Sequence, residues 1–119
     1  MELTLHTEGW FDAAHHLENY DGKCSNVHGH TYKVEVWVKG DSILCDEVGI
    51  LWDFGKLKKL IDAFDHKDLN SVYEENSTAE KQCETIYNTL KETDKQLKFK
   101  IRIYEQLAPK RSYCECGDF

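Results

Sequence analysis

From Thr31 to Lys39 the chain alternates strictly: Tyr32, Val34, Val36 and Val38 fall on one face, Lys33, Glu35 and Trp37 on the other. A period of two belongs to a strand with one buried face. The same pattern returns at residues 97–105, where Leu97, Phe99, Ile101 and Ile103 oppose Lys98, Lys100 and Arg102. Leu3 and Leu5 against Glu2 and Thr4 predict a further strand over residues 2–11, and a last short one is expected near 111–115. Ile50-Leu51-Trp52 reads as a brief apolar strand. Between these, the period changes to 3.6: Phe54, Leu57, Leu60, Ile61 and Phe64 mark one face of a helix that Asp53 can cap. A second helix is predicted from Ser77, where Ser77-Thr78-Ala79-Glu80 has the form of a capping box and Cys83, Ile86, Tyr87 and Leu90 make the buried stripe. Residues 17–27 are loop-like, with Asp21-Gly22 as a turn signal. Leaving aside residues 50–52, the order is ββααββ. It predicts an α+β fold, a four-stranded antiparallel sheet with two helices on one face.

Composition narrows the function classes. The 119 residues suit one domain spanning 1–119, with 40% apolar residues to build its core. The formal charge of −7 lacks the basic footprint of a nucleic-acid partner. No apolar run approaches the ~20 residues of a membrane span. Five cysteines without framework spacing and a polar N-terminal stretch suggest a reducing, cytoplasmic setting.

The candidate chemistry gathers in two neighbouring motifs, Phe11-Asp12-Ala13-Ala14-His15-His16-Leu17 and Cys24-Ser25-Asn26-Val27-His28-Gly29-His30. His28 and His30 enter a strand two residues apart, so they point the same way and can grip one ion, with His15 as a third nitrogen. Three imidazoles suit a zinc ion that keeps an open fourth position. Cys24 either closes that site as a fourth ligand or stands off it as a thiolate. His6 and His16 read as ordinary histidines, and Cys114-Glu115-Cys116 as a weak metal signal. Asp65-His66 pairs a carboxylate with an imidazole it can orient for proton transfer. Glu105 shares the apolar face of residues 97–103, and a buried acid there needs a partner, either a ligand with N–H donors or a lysine.

These residues together resemble the 6-pyruvoyl-tetrahydropterin synthase / 6-carboxytetrahydropterin synthase family of the tunnelling (T) fold. The motifs Phe-x-Ala-Ala-His-x-Leu, Cys-x-x-x-His-Gly-His-x-Tyr-x-Val, Asp-Phe-x-x-Leu-Lys, Asp-His-x-x-Leu-Asn, Thr-x-Glu and a late strand ending in Glu occur in family order over nearly the whole chain. The resemblance implies that His15, His28 and His30 bind zinc, that Cys24 is the catalytic thiol, and that Asp65 and His66 form a second proton-transfer pair. It implies that Glu105 anchors the pterin ring like a fork, with Thr78 beside it. It further implies a homo-oligomer, trimer or paired trimers, with active sites between subunits. The implied substrate is 7,8-dihydroneopterin triphosphate. The product is 6-carboxy-5,6,7,8-tetrahydropterin with loss of acetaldehyde and triphosphate, on the way to queuosine, or alternatively 6-pyruvoyl-tetrahydropterin. Lys23, Lys110 and Arg111 are candidates for holding the triphosphate. A rival reading is a non-catalytic, zinc-stabilised binding module closed by Cys24. Two positions depart from the family pattern: Gln106 follows Glu105 where Thr is usual, and Ser77 precedes Thr78 where Pro is usual.

Overall fold

Two long strands, β1 (Glu2–His15) and β2 (His28–Asp41), pair antiparallel along their whole length and form the spine of the protein. The computed structural model describes residues 1–73 and 76–119. After β2 come α1 (Gly55–Ile61), a two-residue strand β3 (Lys67–Asp68), a single turn α2 (Leu69–Val72) and the long helix α3 (Ala79–Thr93). The chain ends in β4 (Lys98–Gln106) and β5 (Ser112–Gly117). The sheet order is β3-β1-β2-β4-β5, with β3 parallel to β1 and every other pair antiparallel.

The expected four-stranded antiparallel sheet is therefore corrected to a mixed five-stranded one. Two residues, Lys67 and Asp68, both exposed, carry no alternation from which β3 could be read. Ile50-Leu51-Trp52 forms no strand either. That stretch is apolar because Trp52 plugs the core, 2% exposed with its ring 6.1 Å from that of Phe99. α1 starts one residue later than expected, with half-exposed Phe54 rather than Asp53 at its N-cap position, although the Asp53 carboxylate does accept from the Gly55 N–H at 2.8 Å. α3 starts one residue later than expected: Thr78, not Ser77, is the cap, its hydroxyl accepting from the Lys81 N–H at 3.2 Å.

The core lies between one face of the sheet and the helices. Tyr32, Val34, Val36 and Val38 of β2 and Phe99, Ile101 and Ile103 of β4 are all buried there. Leu57 and Ile61 of α1, Leu69 of α2 and Cys83, Ile86 and Leu90 of α3 pack down on them. Each such side chain removed from water contributes roughly 1.5–3 kcal/mol. Gly9 leaves room for the Ile61 side chain of α1, whose Cδ1 would lie 2.7 Å from a Cβ at that position. Among the described residues, no helix is long and apolar enough to cross a membrane.

Candidate metal centre and adjoining clefts

The β1–β2 register builds the site. His15 pairs with His28 across the ladder, and Ala13 with His30, so the last residue of β1 faces the first and third residues of β2. All three rings stand on one face, with centroids 4.5 Å (His15–His28), 4.6 Å (His28–His30) and 5.1 Å (His15–His30) apart. Glu105, near the end of β4, completes the group: one ligand atom from each of the four residues lies within 4.8 Å of the others. Glu105 Oε1 is 3.2 Å from His30 Nε2 and 3.8 Å from His15 Nε2.

The ring orientations follow from hydrogen bonds on the outer nitrogens. The Asn26 carbonyl is 2.7 Å from His28 Nδ1, and the Ser77 carbonyl is 3.1 Å from His15 Nδ1. A carbonyl only accepts, so each Nδ1 carries the proton and donates. The Nε2 lone pairs are then left facing inward. His28 Nε2 is buried with no hydrogen-bond partner among the described residues, and His30 Nε2, also buried, has only the Glu105 carboxylate at 3.2 Å, out of hydrogen-bond alignment. Burial also favours the uncharged ring. It lowers His15, against the opposing Ser77 hydrogen bond, and it lowers His30, against the opposing charge of Glu105. Buried, neutral nitrogens beside a carboxylate are the donor set of a divalent cation such as zinc, and the residues present fit one.

Ser77 is the residue that sequence reasoning missed. It is wholly buried, and its Oγ also lies 3.1 Å from His15 Nδ1. Gln82, 1% exposed on α3, donates to the Ser77 carbonyl at 2.8 Å and holds it in place. A polar residue on the buried stripe of α3, one position before Cys83, was the signal for this link. Tyr32 adds its hydroxyl 3.3 Å from the His15 ring nitrogens, and burial pushes that phenol well up, so it stays protonated.

The remaining candidates divide between two clefts. Cys24 sits on a single 3-10 turn (Lys23–Ser25) that the Leu17 N–H draws inward by bonding the Cys24 carbonyl at 2.7 Å. It lines a cleft of ≈ 380 Å³ with His15, Thr78 and Glu105. Cys24 lies outside the four-residue group, in which the carboxylate of Glu105 rather than this sulfur accompanies the three histidines. Paired amide brackets fix the wall of this cleft. Asn70 bonds the His16 N–H and carbonyl at 2.8 and 3.0 Å, and Asn76 does the same for Glu18 at 2.8 and 2.8 Å.

Asp65 and His66 lie on the other side. His66 has φ 56, its N–H donates to the Asp12 carbonyl at 2.6 Å, and Asp65 accepts from the Asp12 N–H at 2.9 Å. The His66 ring is 79% exposed, with Nε2 3.7 Å from Asp65 Oδ2. It lines a cleft of ≈ 570 Å³ with Asp12, His30, Thr31 and Lys67. Within one chain, then, Cys24 and His66 do not share a cleft, and His30 borders the histidine group on one side and the His66 cleft on the other. Lys23, Lys110 and Arg111 are exposed and line neither cleft. Gln106 turns away, donating to the Ala108 carbonyl at 3.1 Å.

A family model described as 6-pyruvoyl tetrahydropterin synthase matches residues 4–116. The chain is similar to the 6-carboxy-5,6,7,8-tetrahydropterin synthase of Synechocystis, 34% identical over 96 residues that cover 74% of each protein. It is 36% identical over 83 residues to the enzyme of the same name from Haemophilus influenzae, covering 67% of this chain and 59% of the relative. In two Pyrococcus relatives the matched stretch spans 35% of the relative's length. Among solved structures, the 6-pyruvoyl tetrahydropterin synthase of Caenorhabditis elegans superposes with a TM-score of 0.77 at 26% identity, covering 100% of this chain and 97% of that one.

Proposed function

The chain belongs to the 6-pyruvoyl tetrahydropterin synthase family, and from that premise we propose that it converts 7,8-dihydroneopterin triphosphate to 6-carboxy-5,6,7,8-tetrahydropterin. Acetaldehyde and triphosphate are released. The observation that carries the reading is the inward convergence of His15, His28 and His30 beside a cleft that also holds Cys24, Thr78 and Glu105. The similar proteins from Synechocystis and Haemophilus influenzae, both named 6-carboxy-5,6,7,8-tetrahydropterin synthase, support this product.

In this reading His15, His28 and His30 hold zinc, which when bound supplies a Lewis acid for the substrate's side-chain oxygens. Cys24 Sγ takes a proton from the substrate side chain. His66 Nε2, kept in place by Asp65 and the Asp12 backbone, exchanges a second proton. Because His66 opens onto the other cleft, it serves a neighbouring chain's substrate in a homo-oligomer, trimeric or built of paired trimers. Glu105 accepts from the pterin ring N3–H and 2-amino group, giving up its contact with His30 to do so. Thr78 lines the same wall. We read residues 1–119 as one cytoplasmic domain serving 7-deazapurine (queuosine) synthesis.

A second reading, in which the reaction stops at 6-pyruvoyl-tetrahydropterin, is favoured by the likeness to the Caenorhabditis elegans structure. Incubation with dihydroneopterin triphosphate separates the two: the carboxy product comes with acetaldehyde, and the pyruvoyl product without it. Neither product forming while the protein holds zinc would leave a zinc-stabilised binding module. Glu105→Ala should abolish pterin binding and keep the metal, and unchanged pterin affinity would remove Glu105 from the anchor role.

A further inference from the structure

Away from both clefts, three of the five cysteines meet where β5 crosses α3. Cys114 and Cys116 are half-buried on one face of β5, while Tyr113 and Glu115 between and beside them are exposed. Cys83 comes down from α3 and is fully buried. The Cys116 and Cys83 sulfurs are 3.1 Å apart as free thiols. That is only about 1 Å beyond the ~2.03 Å of a covalent bond. The Cys83 thiol's other contacts are long ones, to the Ile101 carbonyl at 3.5 Å and the Cys114 carbonyl at 3.6 Å.

The chain just beyond Cys116 is held firmly, so this approach is built into the backbone. Gly117, at φ +151, runs so close to β4 that a Cβ there would fall 2.3 Å from the Phe99 carbonyl oxygen. Asp118 then exchanges both backbone-directed bonds with Phe99, its N–H donating at 2.7 Å and its carboxylate accepting at 2.9 Å. Tyr87 and Lys91 of α3 donate to the same carboxylate. Strand, helix and thiol pair are thus fixed relative to one another before any bond forms.

We propose that Cys83 and Cys116 are a modification site, a thiol pair that closes into an intramolecular disulfide on exposure to a peroxide. The half-buried Cys116 sulfur is the one a peroxide reaches. It attacks the O–O bond, becoming a sulfenic acid as the peroxide is reduced to water or an alcohol. The Cys83 sulfur then displaces hydroxide from Cys116–SOH, forming the S–S bond, and the Cys83 proton leaves with that hydroxide as water. Two thiols and one peroxide give one disulfide and two molecules of water, or one of water and one of alcohol when the peroxide is an organic hydroperoxide. Burial holds both thiols up, so the reaction is faster in alkaline buffer. The bond ties the edge strand to α3 and closes the chain over residues 83–116.

The test is treatment of the full chain with hydrogen peroxide, alkylation of the remaining thiols, and peptide mapping by mass spectrometry. The expected product is two hydrogens lighter, with the link mapped to Cys83–Cys116. Its melting temperature should rise by about 10 °C, reversibly with dithiothreitol. Cys114→Ser should keep the link and Cys116→Ser should lose both link and thermal shift. A link running through Cys24, Cys45 or Cys114 would overturn the proposal. So would oxidation of Cys116 to a sulfinic acid with Cys83 left free, or the same thermal shift in Cys116→Ser.

Discussion

The histidine corner and the α3–β5 corner are built from similar materials and treat them in opposite ways. Around Asp118 the carboxylate takes bonds from Tyr87, Lys91 and Phe99, and the strand end is locked. Around His15 the outer nitrogens are likewise matched, to Asn26 and Ser77, yet the inner one on His28 is buried and left without a partner, and that on His30 has only the unaligned Glu105 carboxylate. An unpaired buried polar atom costs roughly 1–3 kcal/mol. A fold that meets this cost beside a carboxylate is fit to hold a guest there, whereas at the other corner the polar groups fasten strand to helix.

The widest separation between the corners should come from the ligands themselves. His30→Ala should lower metal occupancy and turnover together, by about 100-fold or more, while Cys24→Ala should cost turnover on a similar scale with metal retained. Metal analysis alongside a rate assay distinguishes them, and loss of metal in Cys24→Ala would move that sulfur into the ligand group. In the packed half, Ile86→Ala removes a wholly buried side chain of α3 and should cost about 2–5 kcal/mol in denaturant unfolding. Metal affinity measured on the folded protein should scarcely change.

Smaller and more pointed is Ser77→Ala. It removes one of two oxygens at His15 Nδ1 and should weaken metal binding by about 10-fold, with little change in melting temperature without metal. A cobalt-loaded sample should show an altered visible spectrum. An unchanged affinity would assign the whole effect to the Ser77 carbonyl. The smallest effect belongs to Asp118→Asn, about 1 kcal/mol. Burial acts to raise that carboxyl, but Tyr87, the Phe99 N–H and Lys91 outweigh it and hold it below its ordinary 3.8. Its contribution is therefore complete above that value and disappears as the pH falls through the lowered one. Unfolding curves of wild type and variant should differ at about pH 6 and converge in strong acid.

How far the sequence revealed all this depended on how much periodic signal each element carried. Thr31–Lys39 and Lys98–Ile103 lie on strands whose apolar positions are all buried as the alternation predicts, but the opposite face is mostly half-buried, and Glu35 on it is buried against His6 at 2.9 Å. Lys67–Asp68 is two exposed residues paired only through Ala13 and Ala14, so nothing in its own composition announces a strand. Ile50–Trp52 shows the converse, an apolar run whose hydrophobicity serves one buried indole rather than a ladder. At the site, the period of two puts His28 and His30 on one side, but His15 comes opposite them because β1 runs on past residue 11 to pair His15 with His28, a register that spacing alone does not state. Ser77 escaped because two local rules competed for it. Its neighbour Thr78 caps the helix equally well, which frees the serine to turn inward. The position of Asp65 and His66 across a second cleft follows from where α1 delivers the chain, which no local pattern encodes.

β1 has one more property worth following. On its outer side only Ala13 and Ala14 have a strand beside them among the described residues, Asp12 is taken by Asp65 and His66, and the stretch from Glu2 to Phe11 has no strand paired to that side. β5 ends the sheet on the opposite side. A ribbon with two bare margins behaves differently in dilute and crowded solution, since any strand that zips onto either margin adds its own free energy to the native state. Stability measured on this protein is for that reason a property of a solution at a stated strength as much as of a single molecule.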